Sequence, residues 1–297
     1  MKEEAAALGI NITVLDCAVV PWRFDDARNF SLNALPRDLD YCVCLDLDEI
    51  LAPGWKDFLS AALVETPDAT RIRYNYVWSW NADGSPGLTY YADKIHSRAG
   101  YQWRNPVHEI LERDRRAGAE VQKFIDATLI LHFPDNTKPR SQYFPLLELA
   151  TLERPDNDRT AHYYGRELFF YGRYEEAIGE LKRHLALPSA VWNEERAASC
   201  RYIGDSYWAL GSRLAALDWF KKANEEVRGR ENYVRLAQAF RAMRLWEPCL
   251  AACNAALEFK VRPNSYINDP ITWSDWPERM RVEALAAIED EKNEVAA

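Results

Sequence analysis

Several familiar patterns are missing from this chain, and each absence removes a class of function. No apolar run is long enough to span a bilayer, and the acidic, helix-prone start Met1-Lys2-Glu3-Glu4-Ala5 has no signal-peptide layout. A cytoplasmic location is the expectation. None of the six cysteines (Cys17, Cys42, Cys44, Cys200, Cys249 and Cys253) forms a CxxC pair, so they read as small core residues in a reducing compartment. The net charge is −9 and no broad basic patch appears, which argues against a general nucleic-acid or anionic-membrane binder. There is no GxGxxG or Walker phosphate loop and no GxSxG nucleophile elbow.

What is present is an ordinary globular composition. Of 297 residues, 48% are hydrophobic and 28% charged, enough for two domains with separate cores. The character changes near residue 140. Before it, apolar runs bounded by turns predict strands at Ile10–Leu15, Tyr41–Leu47, Thr70–Trp80, Leu88–Ile95 and Ala127–His132. Helices are expected around Asp26–Ala34 and Trp55–Val64, which makes residues 1–140 an α/β domain. Asn81-Ala82-Asp83-Gly84-Ser85-Pro86-Gly87 is a loop joining two aromatic-rich strands in a hairpin.

Residues 141–297 lose the strands and gain helical periodicity. Gly165, Leu168, Ala177 and Leu181 fall at offsets that Gly204, Tyr207, Ala216 and Phe220 repeat, and that Ala237, Phe240, Cys249 and Cys253 repeat again. The period brackets that of the tetratricopeptide, about 34 residues, in which small residues let paired helices approach and large ones fill the seam. Tyr207, Gly211, Ala216, Phe220 and Ala223 fit that pattern best, and a plain helical bundle is the alternative. Six tryptophans here (Trp192, Trp208, Trp219, Trp246, Trp273 and Trp276) belong mostly in helix seams.

The densest chemistry lies at Tyr41-Cys42-Val43-Cys44-Leu45-Asp46-Leu47-Asp48-Glu49, an apolar run that ends in three carboxylates before Pro53-Gly54 turns the chain. On a strand, Asp46 and Asp48 would leave one face while Leu47 entered the core. Adjacent carboxylates repel unless a cation or hydrogen-bond donors offset them, so a metal–diphosphate site competes with a strand that simply ends in solvated acids. His96, His108 and His132 with Glu109 could compose a zinc site, although their spacing fits no helical zinc signature.

Asp46-Leu47-Asp48-Glu49 resembles the DxD segment of family 2 glycosyltransferases of the GT-A fold. Trp22-Arg23-Phe24-Asp25-Asp26-Ala27-Arg28-Asn29 is similar to the "W…F…ARN" stretch of that family, and Trp103-Arg104-Asn105-Pro106-Val107-His108-Glu109 to its "W…VHE" segment. The resemblance implies an incomplete GT-A-like domain followed by tetratricopeptide-like helices, because the nucleoside-binding opening unit is not matched. It further implies metal-dependent, inverting sugar transfer from a nucleotide-sugar donor to an unknown acceptor. Asp48 and His132 would hold Mn²⁺ or Mg²⁺, Asp46, Arg28 and Asn29 would contact the donor, and Glu109 would be the general base. His108, Trp103 and Glu49 would line the acceptor site or support it. Against this stand bland readings: a buried structural histidine for His108 and His132, a solvated acid for Glu49, and a surface salt bridge for Arg28. The other functional class is an interaction scaffold, in which the repeats hold a protein partner beside a transferase remnant without turnover.

Overall fold

The computed structural model describes residues 11–135 and 142–296, which form ten α-helices and seven strands. The expected domain boundary near residue 140 and the acidic start lie outside the described residues, as does Ile10 of the first predicted strand. No helix among the described residues is long and apolar enough to cross a membrane.

Five strands share a sheet in the order β1-β4-β3-β7-β2: β1 Tyr41–Val43, β2 Glu49–Leu51, β3 Arg71–Val77, β4 Thr89–Ser97 and β7 Gln122–His132. β5 Tyr101–Arg104 and β6 Ile110–Arg113 form a separate antiparallel pair. The β1–β4 and β2–β7 pairings are antiparallel too. The predicted loop at Asn81–Gly87 follows β3 and precedes β4, closed by the Trp80–Pro86 bridge. Two sequence expectations fail. Residues 11–15 form no strand, and the strand expected over Tyr41–Leu47 stops at Val43. A GT-A-like domain is not shown.

The chain divides into two compact units. The first gathers residues up to Leu45 with Asp57–Arg73 and Asp93–Ile125. Its helix α1 (Phe24–Ala34) begins with Asp25 and Asp26, whose charge suits a helix N-terminus, and lies on β5. Leu32, Cys42, Tyr101, Trp103 and Leu111 make one apolar cluster. Beside it Arg71 is almost wholly buried on β3. Its guanidinium meets Asp93 and Glu120, donates to the Leu111 carbonyl and stacks on the Tyr101 ring at 5.2 Å. α2 (Trp55–Glu65) follows the turn at Gly54, whose positive φ of 78° is easy only for glycine.

The second unit gathers Asp46–Lys56, Tyr74–Ala92 and the chain from Asp126 onward. Its helices are α3 Tyr143–Glu153, α4 Asp158–Phe170, α5 Tyr174–Ala186, α6 Asn193–Ala209, α7 Arg213–Glu226, α8 Arg230–Ala242, α9 Trp246–Leu257 and α10 Trp276–Ala296. Each packs on the next, and α4 also meets α6 while α6 meets α8, the stacking of a helical-repeat solenoid. The repeated positions explain the pairing. A Cβ on Gly165 would lie 2.6 Å from Leu181, and one on Gly204 would lie 2.5 Å from Phe220, so a side chain at either place would separate the helices. In the third copy Ala237 is larger than glycine and Cys253 smaller than leucine, and both are fully buried in one cluster. Small and large trade volume across the seam.

The turns repeat as well. Gly172, Gly211 and Arg244 each stand seven residues after the small residue of their copy, with φ of 73°, 80° and 57°. In each, the next amide reaches a carbonyl five residues back: Arg173 to Leu168, Ser212 to Tyr207 and Leu245 to Phe240. This is the left-handed helix-ending geometry that glycine favours. The third copy adopts it with an arginine.

Candidate functional site

Asp46 and Asp48 do not end a strand; they lie in a turn closed by Glu49, the first residue of β2. The Glu49 amide donates to the Asp46 carbonyl at 3.1 Å, and the Asp46 amide donates to Glu49 Oε2 at 2.8 Å. Alternation therefore does not apply, and Leu47, expected in the core, is 95% exposed at the tip. Glu49, read as a solvated acid, is instead buried and accepts from the Tyr76 hydroxyl, whose pKa is raised by burial and by that carboxylate. His132 is buried as the structural reading expected. Its Nδ1 lies 2.8 Å from the Trp78 carbonyl and its ring stacks on Trp78 at 4.4 Å. Its Nε2 faces Asp48 Oδ2 at 3.7 Å. The fold thus brings Asp48 and His132 together, but as a pair with Glu49 committed elsewhere. Among the described residues no group of three or more His, Cys, Asp or Glu side chains is arranged to hold a metal ion. Asp48 and His132 offer two donor atoms, and the residues of the zinc alternative, His96, His108, His132 and Glu109, form no such group.

Arg28, Asn29, Trp103, His108 and Glu109 belong to the first unit, and the fold gathers four of them. Arg28 Nε donates to Glu109 Oε1, with both side chains mostly buried. The same guanidinium has Nη1 3.0 Å from Cys44 Sγ and lies 4.9 Å over the Trp103 ring. Asn29 clamps the Trp103 backbone in both directions, accepting from its amide at 2.8 Å and donating to its carbonyl at 2.9 Å. Trp103 is thus a core residue. The salt-bridge reading of Arg28 holds, but the bridge is buried, where removing one partner strands the other charge. Asn105 and His108, with φ of 77° and 49°, turn the chain between Trp103 and Glu109, and both amide atoms of the buried Asn105 lack a hydrogen-bond partner.

Sequence reasoning missed a third constellation, in the first two helix pairs. His162 Nδ1 lies 2.7 Å from Ser199 Oγ, which lies 2.9 Å from His184 Nδ1. His184 Nε2 stands 3.5 Å from Glu195 Oε1, an ion-pair distance, and the Tyr266 hydroxyl donates to Glu195 Oε2. Burial holds His162 down at about 3. Burial would push Glu195 up, but contact with His184, the His162 charge and the Tyr266 hydroxyl outweigh it and bring the carboxyl down to about 2. A serine between two imidazoles has the makings of a nucleophile, yet Ser199 and His184 are fully buried, so this chain of contacts ties α4, α5 and α6 together. The available signal was polar residues close to predicted seam positions: His162 three before Gly165 and His184 three after Leu181.

Beside that network a cleft of about 210 Å³ opens on the inner face of α4, α6 and α8. Arg166, Arg201, Arg235, Asp205 and Glu231 line it, and residues 266–270 with Thr272 close one side. Burial lowers the Arg201 pKa and raises that of Asp205.

No protein-family model and no curated protein matches the chain. Among solved structures, it is similar to one titled MamA MSR-1 C2, with 23% identity over 39% of this chain and 65% of that one, at a TM-score of 0.33. PilF of Pseudomonas aeruginosa shares 15% identity over 51% of this chain and 63% of its own, at 0.40. A further crystal structure of MamA shares 17% over 52% and 90%, at 0.35. The chain thus spans just under two thirds of the length of the first two. The resemblance to family 2 glycosyltransferases is corrected on these findings: no family model and no curated relative supports it. The nucleotide-sugar donor, the metal and the transferase roles given to Asp46, Asp48, Glu109 and their neighbours rested on that resemblance, and none of these comparisons supports them.

Proposed function

We propose that this protein is an interaction scaffold whose helical repeats receive a polypeptide partner on the inner face of α4, α6 and α8. One observation carries the reading: side chains from three successive repeats converge on one charged cleft. Stacked helix pairs generate such surfaces because each pair contributes one helix to the same side. The outer helices α5, α7 and α9 spend their apolar faces on the seams.

Site-specific photo-crosslinking tests it. A photoreactive residue in place of Gln238, which lines the cleft, is expected to capture a discrete polypeptide from cells. The same residue in place of Lys221, exposed on α7, is expected to capture none. Capture at Gln238 should disappear with Arg235→Glu. Equal yields at both positions, or none at Gln238, would reject the reading.

A further inference from the structure

The connection between α9 and α10 is out of scale. The other links from α4 to α9 are three to six residues long, whereas residues 258–275 make eighteen. Connections of that length in a compact fold commonly carry function. This one is fastened at both ends of its inner stretch. Tyr266 donates to the buried Glu195, Arg230 Nε donates to the Thr272 carbonyl at 2.7 Å, and Trp273 Nε1 donates to Glu231 Oε1 at 2.7 Å. Asp269 caps the short 3₁₀ turn Pro270–Trp273 by accepting from the Ile271 amide. The segment thus roofs one side of the cleft and leaves about 210 Å³ beneath it, room for a small anion or a side chain of an extended polypeptide but not for a helix or domain.

The charges under that roof balance in number but not in pairing. Three arginines and three carboxylates line it, and among them only Asp205 and Arg235 stand at ion-pair distance. Asp205 pairs with Arg235 at 3.3 Å, Glu231 accepts from Trp273, and Asp269 caps its turn. Arg201 is left with the neutral amide oxygen of Asn232, and among the described residues no carboxylate lies within ion-pair distance of it. Arg166 has Nη2 3.3 Å from Glu167, while its Nε is buried without an acceptor. Buried guanidinium groups are costly unless hydrogen-bonded to an anion, and their planar forks match the oxygens of phosphate and carboxylate.

We propose that the cleft is a binding site for a small dianion, phosphate or dicarboxylate, held by Arg166 and Arg201 beneath the 258–275 roof. It occupies the cleft of the interaction reading but needs no polypeptide partner. Saturable anion binding with no crosslink at Gln238 would keep this site and remove the scaffold. A crosslink without anion binding would do the reverse.

Isothermal titration of the full chain with inorganic phosphate and, separately, succinate decides it, with ionic strength held constant by sodium chloride. One saturable site is expected for at least one of the two. Phosphate saturation with inert succinate assigns a phosphate ligand, and the opposite assigns a carboxylate. Arg166→Gln and Arg201→Gln should each weaken binding by about tenfold or more, as loss of a charge-assisted bond requires. Arg213→Gln, at the exposed start of α7, should leave it unchanged. Should either glutamine variant unfold, as circular dichroism would reveal, Gln238→Glu provides the same test by adding repulsion to the cleft wall. No saturable heat from either anion, or unchanged affinity in the cleft variants, overturns the proposal.

Discussion

The helices after residue 142 and the sheet-bearing residues before 135 reach stability by different routes. The helical half is steric. Glycine meets leucine or phenylalanine at a fixed offset, and the third copy substitutes alanine and cysteine without losing the fit. The other half adds buried charge to its apolar core. Arg71 on β3 bonds to two carboxylates and a carbonyl, and Arg28 on α1 bonds to Glu109 just before β6. A steric seam repeats in the sequence because each copy solves the same local problem. A charge cluster does not, because its members arrive from unrelated positions.

The largest effect should come from emptying the seam. Phe220→Ala leaves a cavity against Gly204 and is expected to destabilise by about 4 kcal/mol, whereas Leu214→Ala, on the exposed side of α7, should cost under about 0.5 kcal/mol. Chemical denaturation measures both, and equal costs would break the steric account. Arg71→Ala strands Asp93 and Glu120 and should cost about 3 kcal/mol. Arg71→Met, which keeps the bulk, should recover less than half of that if charge rather than volume dominates.

Acid should then separate the mechanisms. His162 sits at about 3 against an ordinary 6.5, so below pH 6.5 the unfolded chain takes up a proton that the folded one refuses. Glu195, at about 2 against 4.5, contributes stability that is present above pH 4.5 and lost as pH falls toward 2. Both act in one direction, and stability should fall with acidity by at most about 1.4 kcal/mol per pH unit for each group. Melting temperatures between pH 7.5 and pH 5 should drop less steeply for His162→Asn than for the unaltered chain. The smallest effect is a gain. Arg244→Gly relieves a left-handed turn that the other copies make with glycine, and should raise stability by about 0.5–1 kcal/mol in the same denaturation experiment.

Legibility followed the same divide. The offsets at Gly165, Gly204 and Ala237 located three helix pairs because the spacing that packs a helix is written within a dozen residues. Strands β3, β4 and β7 were readable from apolar runs, but β5 and β6 went unread although Tyr101 and Trp103 alternate inward. The Asp46–Glu49 segment misled because three carboxylates after an apolar run look alike on a strand and in a turn. Only the folded contacts show that Glu49 is committed: one oxygen accepts from the Asp46 amide, the other from the Tyr76 hydroxyl 27 residues away. The two polar features with most consequence, the His162–Ser199–His184–Glu195 network and the roofed cleft, left faint traces at best.

The sequence by itself determined the helical repeat, its phase and its small–large seam, since helix periodicity and close approach are local properties of side-chain size. Only the tertiary structure decided which charges meet. Arg28 and Glu109 are 81 residues apart, Arg71 and Glu120 are 49, and Tyr266 and Glu195 are 71. An ion pair or hydrogen bond depends on distances of a few ångströms between groups whose separation along the chain carries no such information. The arginine-lined cleft, roofed by a segment from beyond the third repeat, exists for that reason only in the folded chain.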